Sequence, residues 1–124
     1  MYDTKRYRGG AHMEREKRQW GAFEVLYSDA CCKIKHLYIE PGKNISYQYH
    51  RHRAEFWTIM QGGGKFVLDG EVRLLRTGDS VEIPVGKWHT MQNTKDEVLV
   101  IHEIQTGKIL DESDIVRNES FQVE

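Results

Sequence analysis

The sequence predicts an all-β fold, a sandwich or barrel of short strands, and three observations carry that prediction. Segments of about five to seven residues, rich in Val, Ile, Tyr, Phe, Trp and Thr, recur along the chain. Gly, Pro or Asn separates most of them. No long apolar stripe of helical period is present; the 11–19 stretch is too short and too charged to supply one. Many short strands at regular spacing make a sandwich or a barrel.

In chain order the prediction begins with an N-terminal arm, 1–17. Residues 1–19 carry six basic side chains against three acidic ones, the composition of a solvated arm. Strands are then expected at 22–27, 33–39, 45–50, 55–60, 65–68, 71–75, 80–83, 89–92 and 98–104. Asp69-Gly70 joins two of them and reads as a type I′ hairpin, because both residue types tolerate positive φ. Pro41-Gly42 and Thr77-Gly78-Asp79 mark two further turns. Gly62-Gly63-Gly64 reads as a turn and not a phosphate loop, since a strand follows it and no Lys-Ser/Thr ends it. The barrel is assigned 18–110. The last segment, 111–124, has five acidic residues against one basic and is assigned to an acidic C-terminal arm.

Composition narrows the function. The 124 residues are one domain's worth and enough to bury a core without staples. Eighteen basic and nineteen acidic residues give a net charge of −1, so no basic field exists to attract nucleic acid. The longest aliphatic run, Val98-Leu99-Val100-Ile101, is far short of the roughly 20 residues of a membrane span. The N-terminus lacks the apolar stretch of a secretory signal. Cys31 and Cys32 are adjacent, with neither CxxC nor zinc-type spacing, and fit a reducing compartment. The expectation is a cytoplasmic small-molecule protein.

Two segments hold the chemistry. In Gln48-Tyr49-His50-Arg51-His52 the residues Gln48, His50 and His52 alternate, so on a strand they share one face. Glu55 heads the next strand, and His89 follows the turn Pro84-Val85-Gly86. Imidazoles, a carboxylate and an amide oxygen converging inside a barrel form a site for a divalent metal: Zn, Mn, Fe, Ni or Co. A mixed N/O donor set points to a catalytic role.

These spacings resemble the two motifs of the cupin superfamily. The second, G-x5-P-x-G-x2-H-x3-N, fits Gly78, Pro84, Gly86, His89 and Asn93. The first, G-x5-H-x-H-x3-4-E-x6-G, keeps its register from Gly42 to Gly62 when Gln48 stands for the first histidine. Anchoring it on His50 and His52 breaks the spacing on both sides. Arg18-Gln19-Trp20-Gly21, the run from Gln48 to Trp57, and Asp114-Ile115-Val116-Arg117 further resemble the type II mannose-6-phosphate isomerases. Those cupins often form the C-terminal part of bifunctional enzymes with a mannose-1-phosphate guanylyltransferase. The resemblance runs from Arg18 to Phe121. This chain departs from it at Arg51 and Phe56, where the family tends to carry His.

The resemblance implies a cupin double-stranded β-helix, a jelly-roll-like barrel, with a divalent metal and a phosphosugar substrate. It implies aldose–ketose isomerisation through a cis-enediol, from mannose-6-phosphate to fructose-6-phosphate or a related pair. Gln48, His50, Glu55 and His89 are the expected metal ligands. His52 is the candidate base, its ordinary pKa near 6.5 suiting proton transfer, with a role as a further ligand equally open. Arg53, Lys35 and Arg117 are candidates for the phosphate. Core packing is expected of Trp57 and Trp88. A homodimer joined through sheet edges is expected, and no nucleotidyltransferase part. The competing readings are another cupin enzyme, a dioxygenase or epimerase, and a non-catalytic sugar-binding regulatory cupin.

Overall fold

The structure, a computed structural model, describes residues 15–123. Eleven strands are present and no helix among these residues: β1 (Glu16–Arg18), β2 (Gly21–Ser28), β3 (Cys32–Ile39), β4 (Tyr47–Tyr49), β5 (Arg53–Gln61), β6 (Gly63–Leu68), β7 (Glu71–Arg76), β8 (Ser80–Ile83), β9 (His89–Asn93), β10 (Leu99–Gly107) and β11 (Val116–Asn118). All nine expected strands form. They assemble into two antiparallel sheets, one of order β1-β2-β3-β10-β5-β8 and one of order β11-β4-β9-β6-β7.

Of the two additional strands, β1 spans the boundary between the N-terminal arm and the barrel, and β11 lies in the C-terminal arm. β1 pairs with β2, and β11 pairs with β4 as the outer strand of the second sheet. The acidic segment is therefore joined to the barrel: Phe121 stacks on Tyr47 at 3.9 Å between ring centroids, and Asp114 is buried. Charge composition alone misleads here because the anchoring residues are few and widely spaced. Most of the basic N-terminal arm, 1–14, lies outside the described residues.

Hydrophobic residues from both sheets meet between them. Trp57, Phe66, Ile39, Ile59, Met91, Leu99 and Ile101 are fully buried, and each such side chain is worth about 1.5–3 kcal/mol. Trp57 meets Phe66 edge to face at 5.7 Å. Trp88 is not in this core; half-buried, it stacks on Tyr47 at 5.2 Å.

Alternation on the central strands grades from apolar to polar along their length. Paired inward rows run Ile39–Leu99, then Leu37–Ile101–Ile59, then Lys35–Glu103–Trp57, then Lys33–Gln105–Glu55. The first two rows are hydrocarbon. The last two put charge and hydrogen-bonding groups inside the barrel.

Turn chemistry follows the residues. Asp69 and Gly70 have φ of 46° and 84°, the positive pair of a type I′ turn. The triple glycine is not all turn. Gly62 turns with φ of 83°, whereas Gly63 and Gly64 are buried strand residues of β6. A Cβ on Gly64 would stand 1.9 Å from the Gln92 carbonyl oxygen of β9, so the close strand approach requires glycine there.

Candidate metal centre

β4 stops at Tyr49, and the chain bends through 50–52 before β5 begins in the other sheet. Asp114 holds this bend. Its carboxylate accepts the backbone N–H of Arg51 at 3.0 Å and of His52 at 2.9 Å. The Gly86 N–H, from the turn before β9, donates to the His50 carbonyl at 2.8 Å. The two motif segments are thus tied together through His50.

His50, Glu55 and His89 converge, each offering a ligand atom within 4.8 Å of the others, and all three are buried. His50 Nδ1 faces the Asp114 carbonyl at 2.6 Å, and His89 Nδ1 faces the Lys87 carbonyl at 2.9 Å. A carbonyl only accepts, so in each ring Nδ1 carries the proton and Nε2 keeps its lone pair. His89 Nε2 is buried with no hydrogen-bond partner, 3.6 Å from Glu55 Oε1. An orphaned imidazole lone pair beside a carboxylate is what a borderline divalent cation completes, and the donor set fits one. Gln48 lies directly opposite His89 in the β4–β9 register, its Oε1 accepting from Ser46 Oγ at 2.6 Å.

Arg53 reaches two of these ligand atoms. Its Nη2 lies 3.1 Å from His50 Nε2 and 2.9 Å from Glu55 Oε2, and its Nε donates to Glu55 Oε2 at 3.0 Å. Burial alone would push the Glu55 carboxyl up; the His50 and His89 imidazoles and the Arg53 guanidinium reverse this and hold it well below the usual carboxylate range. Burial lowers His89, with His50 and Arg53 adding to it against the opposing pull of Glu55 and the Lys87 carbonyl.

A cavity of about 750 Å³ opens beside this cluster. Lys35, Gln48, Arg53, Glu103, Glu112 and Arg117 are among its lining residues, whereas His50, Glu55 and His89 are not. Arg53, bonded to the cluster and lining the cavity, forms the wall between them. Arg117 lies opposite Gln48 in the β11–β4 register, with its side chain exposed.

His52 is elsewhere. The bend breaks the alternation assumed for a continuous strand, and the imidazole, 50% exposed, turns to Asp114 with Nδ1 3.3 Å from Oδ1. It does not line the cavity.

Glu103 is a residue the motifs do not mark. The Trp57 indole N–H is shared between Glu55 Oε1 and Glu103 Oε2 at 3.0 Å each, and Gln105 donates to Glu103 Oε1 at 2.8 Å. Burial, then the neighbouring Glu55 carboxylate, pushes the Glu103 carboxyl well above its ordinary value, only partly opposed by Lys35 and Arg53. Two adjacent carboxyls are thereby driven apart, Glu55 toward a stronger acid and Glu103 toward a weaker one. The signal in the sequence is the alternation Leu99, Ile101, Glu103, Gln105, which puts an acid on the inward face of β10. Asn93, the last residue of the second motif, is a clamp: Nδ2 donates to the carbonyls of Ile39 and Glu97, both at 2.8 Å.

The family described as Mannose-6-phosphate isomerase C-terminal matches residues 6–120. The mannose-1-phosphate guanylyltransferase ManC of Salmonella typhimurium is 36% identical over 109 residues, covering 87% of this chain and 23% of that protein. The alginate biosynthesis protein AlgA of Pseudomonas putida is 35% identical over 102 residues, covering 82% and 21%. This chain thus spans about a fifth to a quarter of the length of these relatives. Among solved structures, an RmlC-like cupin from Shewanella frigidimarina superposes with a TM-score of 0.71 at 15% identity, over 84% of this chain and 91% of that one. The chain folds as a cupin and belongs to the mannose-6-phosphate isomerase C-terminal family.

Proposed function

We propose that the protein is a metal-dependent sugar-phosphate isomerase, interconverting an aldose and a ketose phosphate of the mannose-6-phosphate and fructose-6-phosphate type. The observation that carries this reading is the pair of imidazoles, each fixed by a hydrogen bond from Nδ1 to a backbone carbonyl, whose Nε2 atoms face the buried Glu55 carboxyl next to a cavity with cationic lining. His50, Glu55 and His89 would hold the divalent cation, with Gln48 completing the set. The cation would act as Lewis acid toward the sugar oxygens and carry the developing enediolate charge.

The chain's own residues supply the rest. Lys35, Arg53 and Arg117 offer donors for a phosphate, Arg53 through its unpartnered Nη1. Isomerisation moves a proton between C1 and C2. Glu103 shares the cavity, one cross-strand row from Glu55, and is assigned this transfer in place of His52, whose imidazole turns away to Asp114. Trp57, bonded to both carboxyls, fixes their spacing.

One observation favours a second reading, a non-catalytic sugar-phosphate-binding cupin: Arg53 stands on the lone pairs a cation would need. Metal analysis of the purified chain, with a coupled mannose-6-phosphate to fructose-6-phosphate assay, decides between them. Bound metal with turnover supports the isomerase; full metal occupancy with no turnover on several phosphosugars rejects it.

We further propose a cytoplasmic homodimer. What supports the dimer is β7, an outer strand whose Val72 and Leu74 are 55% and 76% exposed. No helix of the described residues is long and apolar enough to cross a membrane.

A further inference from the structure

We propose that Lys35 and Arg53 form a seat for an oxyanion and that Glu112, on the segment after β10, is its tethered occupant, displaced when a ligand's anionic group enters. Lys35 and Arg53 project inward from β3 and β5, and each side chain is only 4% exposed. Two cations buried so close need a counter-charge. For Lys35 that charge is the Glu112 carboxylate, which its Nζ meets directly.

Arg53 is not fully served. Its Nε and Nη2 are taken by Glu55 and His50, while Nη1 is buried without a hydrogen-bond partner. Nη1 stands 3.8 Å from the same Glu112 Oε2, beyond hydrogen-bond reach. One carboxylate oxygen therefore faces two cations and satisfies one. A phosphate, with three acceptor oxygens and a larger charge, satisfies both.

The occupant is also placed to leave. Residues 108–115, between β10 and β11, contain no regular strand, and the Glu112 side chain is 51% exposed. Its anchors are the Lys33 Nζ bond to the Leu110 carbonyl at 3.0 Å and Asp114 at the bend. A hinge at those two points frees the carboxylate without disturbing either sheet. All three residues line the 750 Å³ cavity, so an anion reaching the seat comes from the side where a ligand would lie.

The seat is defined by its own geometry; only the identity of its natural anion, a phosphate ester, rests on the isomerase reading. The test is calorimetric titration of the full chain with inorganic phosphate at constant ionic strength. A seat filled about nine-tenths of the time by its own carboxylate binds an external anion about tenfold more weakly than an empty one. Glu112→Gln and Glu112→Ala are thus expected to bind phosphate about tenfold more tightly than the parent, and Lys35→Met to lose binding. In the parent, phosphate should also speed amide exchange at residues 109–113. Phosphate binding that is no tighter in folded Glu112 variants, or unchanged exchange at saturating phosphate, overturns the proposal. A tenfold gain with no turnover of several phosphosugars at full metal occupancy refutes the isomerase and leaves the seat standing; turnover without the gain refutes the seat alone.

Discussion

His50 and Asp114, 64 residues apart in sequence, are joined by a 2.6 Å hydrogen bond from the imidazole Nδ1 to the aspartate carbonyl. The same aspartate uses its side chain to hold the bend that aims His50, accepting from the amides of Arg51 and His52. One residue thus orients a metal-site imidazole by its main chain and shapes the loop by its carboxylate.

Removing that carboxylate has a pH signature. Burial would raise Asp114, but the two amides and the His52 ring outweigh it and hold the carboxyl below its usual range. A carboxyl depressed in the folded state stabilises above its unfolded value, near 3.9, and loses that contribution as pH falls through the folded value. Asp114→Asn is expected to lower stability by about 1.5–3 kcal/mol at neutral pH. Urea unfolding at several pH values should show the gap from the parent closing below about pH 4.

His89→Ala removes the imidazole whose Nε2 is unpartnered. Loss of an outer-shell partner alone costs about 10–100-fold in metal affinity, so loss of a direct ligand should exceed that range. Metal content after dialysis against a weak chelator measures it. Parent-like affinity in this variant removes His89 from the ligand set.

Arg53→Met acts in opposite directions on metal and on fold. Without the guanidinium on His50 Nε2 and Glu55 Oε2, a divalent cation meets no internal competitor and should bind more tightly. Without the guanidinium and with no metal bound, buried Glu55 loses its permanently charged partner, a deficit of about 3–5 kcal/mol. Thermal melts with and without metal should therefore show a destabilised apo variant that recovers strongly on metal addition.

Glu103→Gln keeps the shape of the side chain and removes its acid–base capacity. Turnover should fall by about 10²–10⁴-fold with metal content unchanged. His52→Gln, at a half-exposed position away from the cavity, should leave turnover within a few-fold of the parent. The reverse pattern would return the proton-transfer role to His52.

Much of this was legible because local rules agreed with the global fold. β-branched and aromatic runs between Gly and Pro located nine strands, and Asp69-Gly70 predicted its turn. Motif spacing likewise brought His50, Glu55 and His89 together. The placement of the His52 side chain differs from the expected one because strand parity was carried through a bend, and Asp114, the residue making that bend, is distant in sequence. Glu103 and Glu112 were hidden for a related reason. A lone acid in a strand, or one among several in an acidic segment, acquires meaning only from the cations that tertiary pairing sets beside it. The glycines at 63 and 64 read as a turn because nothing local reveals that another strand's backbone fills the space of their side chains.

The graded interior of the central strands gives the barrel a dry end and a wet end. Ile39, Ile59, Leu99 and Ile101 lie at one, and the ionisable side chains lie at the other. Cohesion and chemistry therefore occupy separate stretches of the same strands. Substitutions at the wet end that keep its buried charges paired can rewrite what the barrel recognises while the dry end keeps it assembled, which suits this scaffold to acquiring a new ligand without first surrendering its fold.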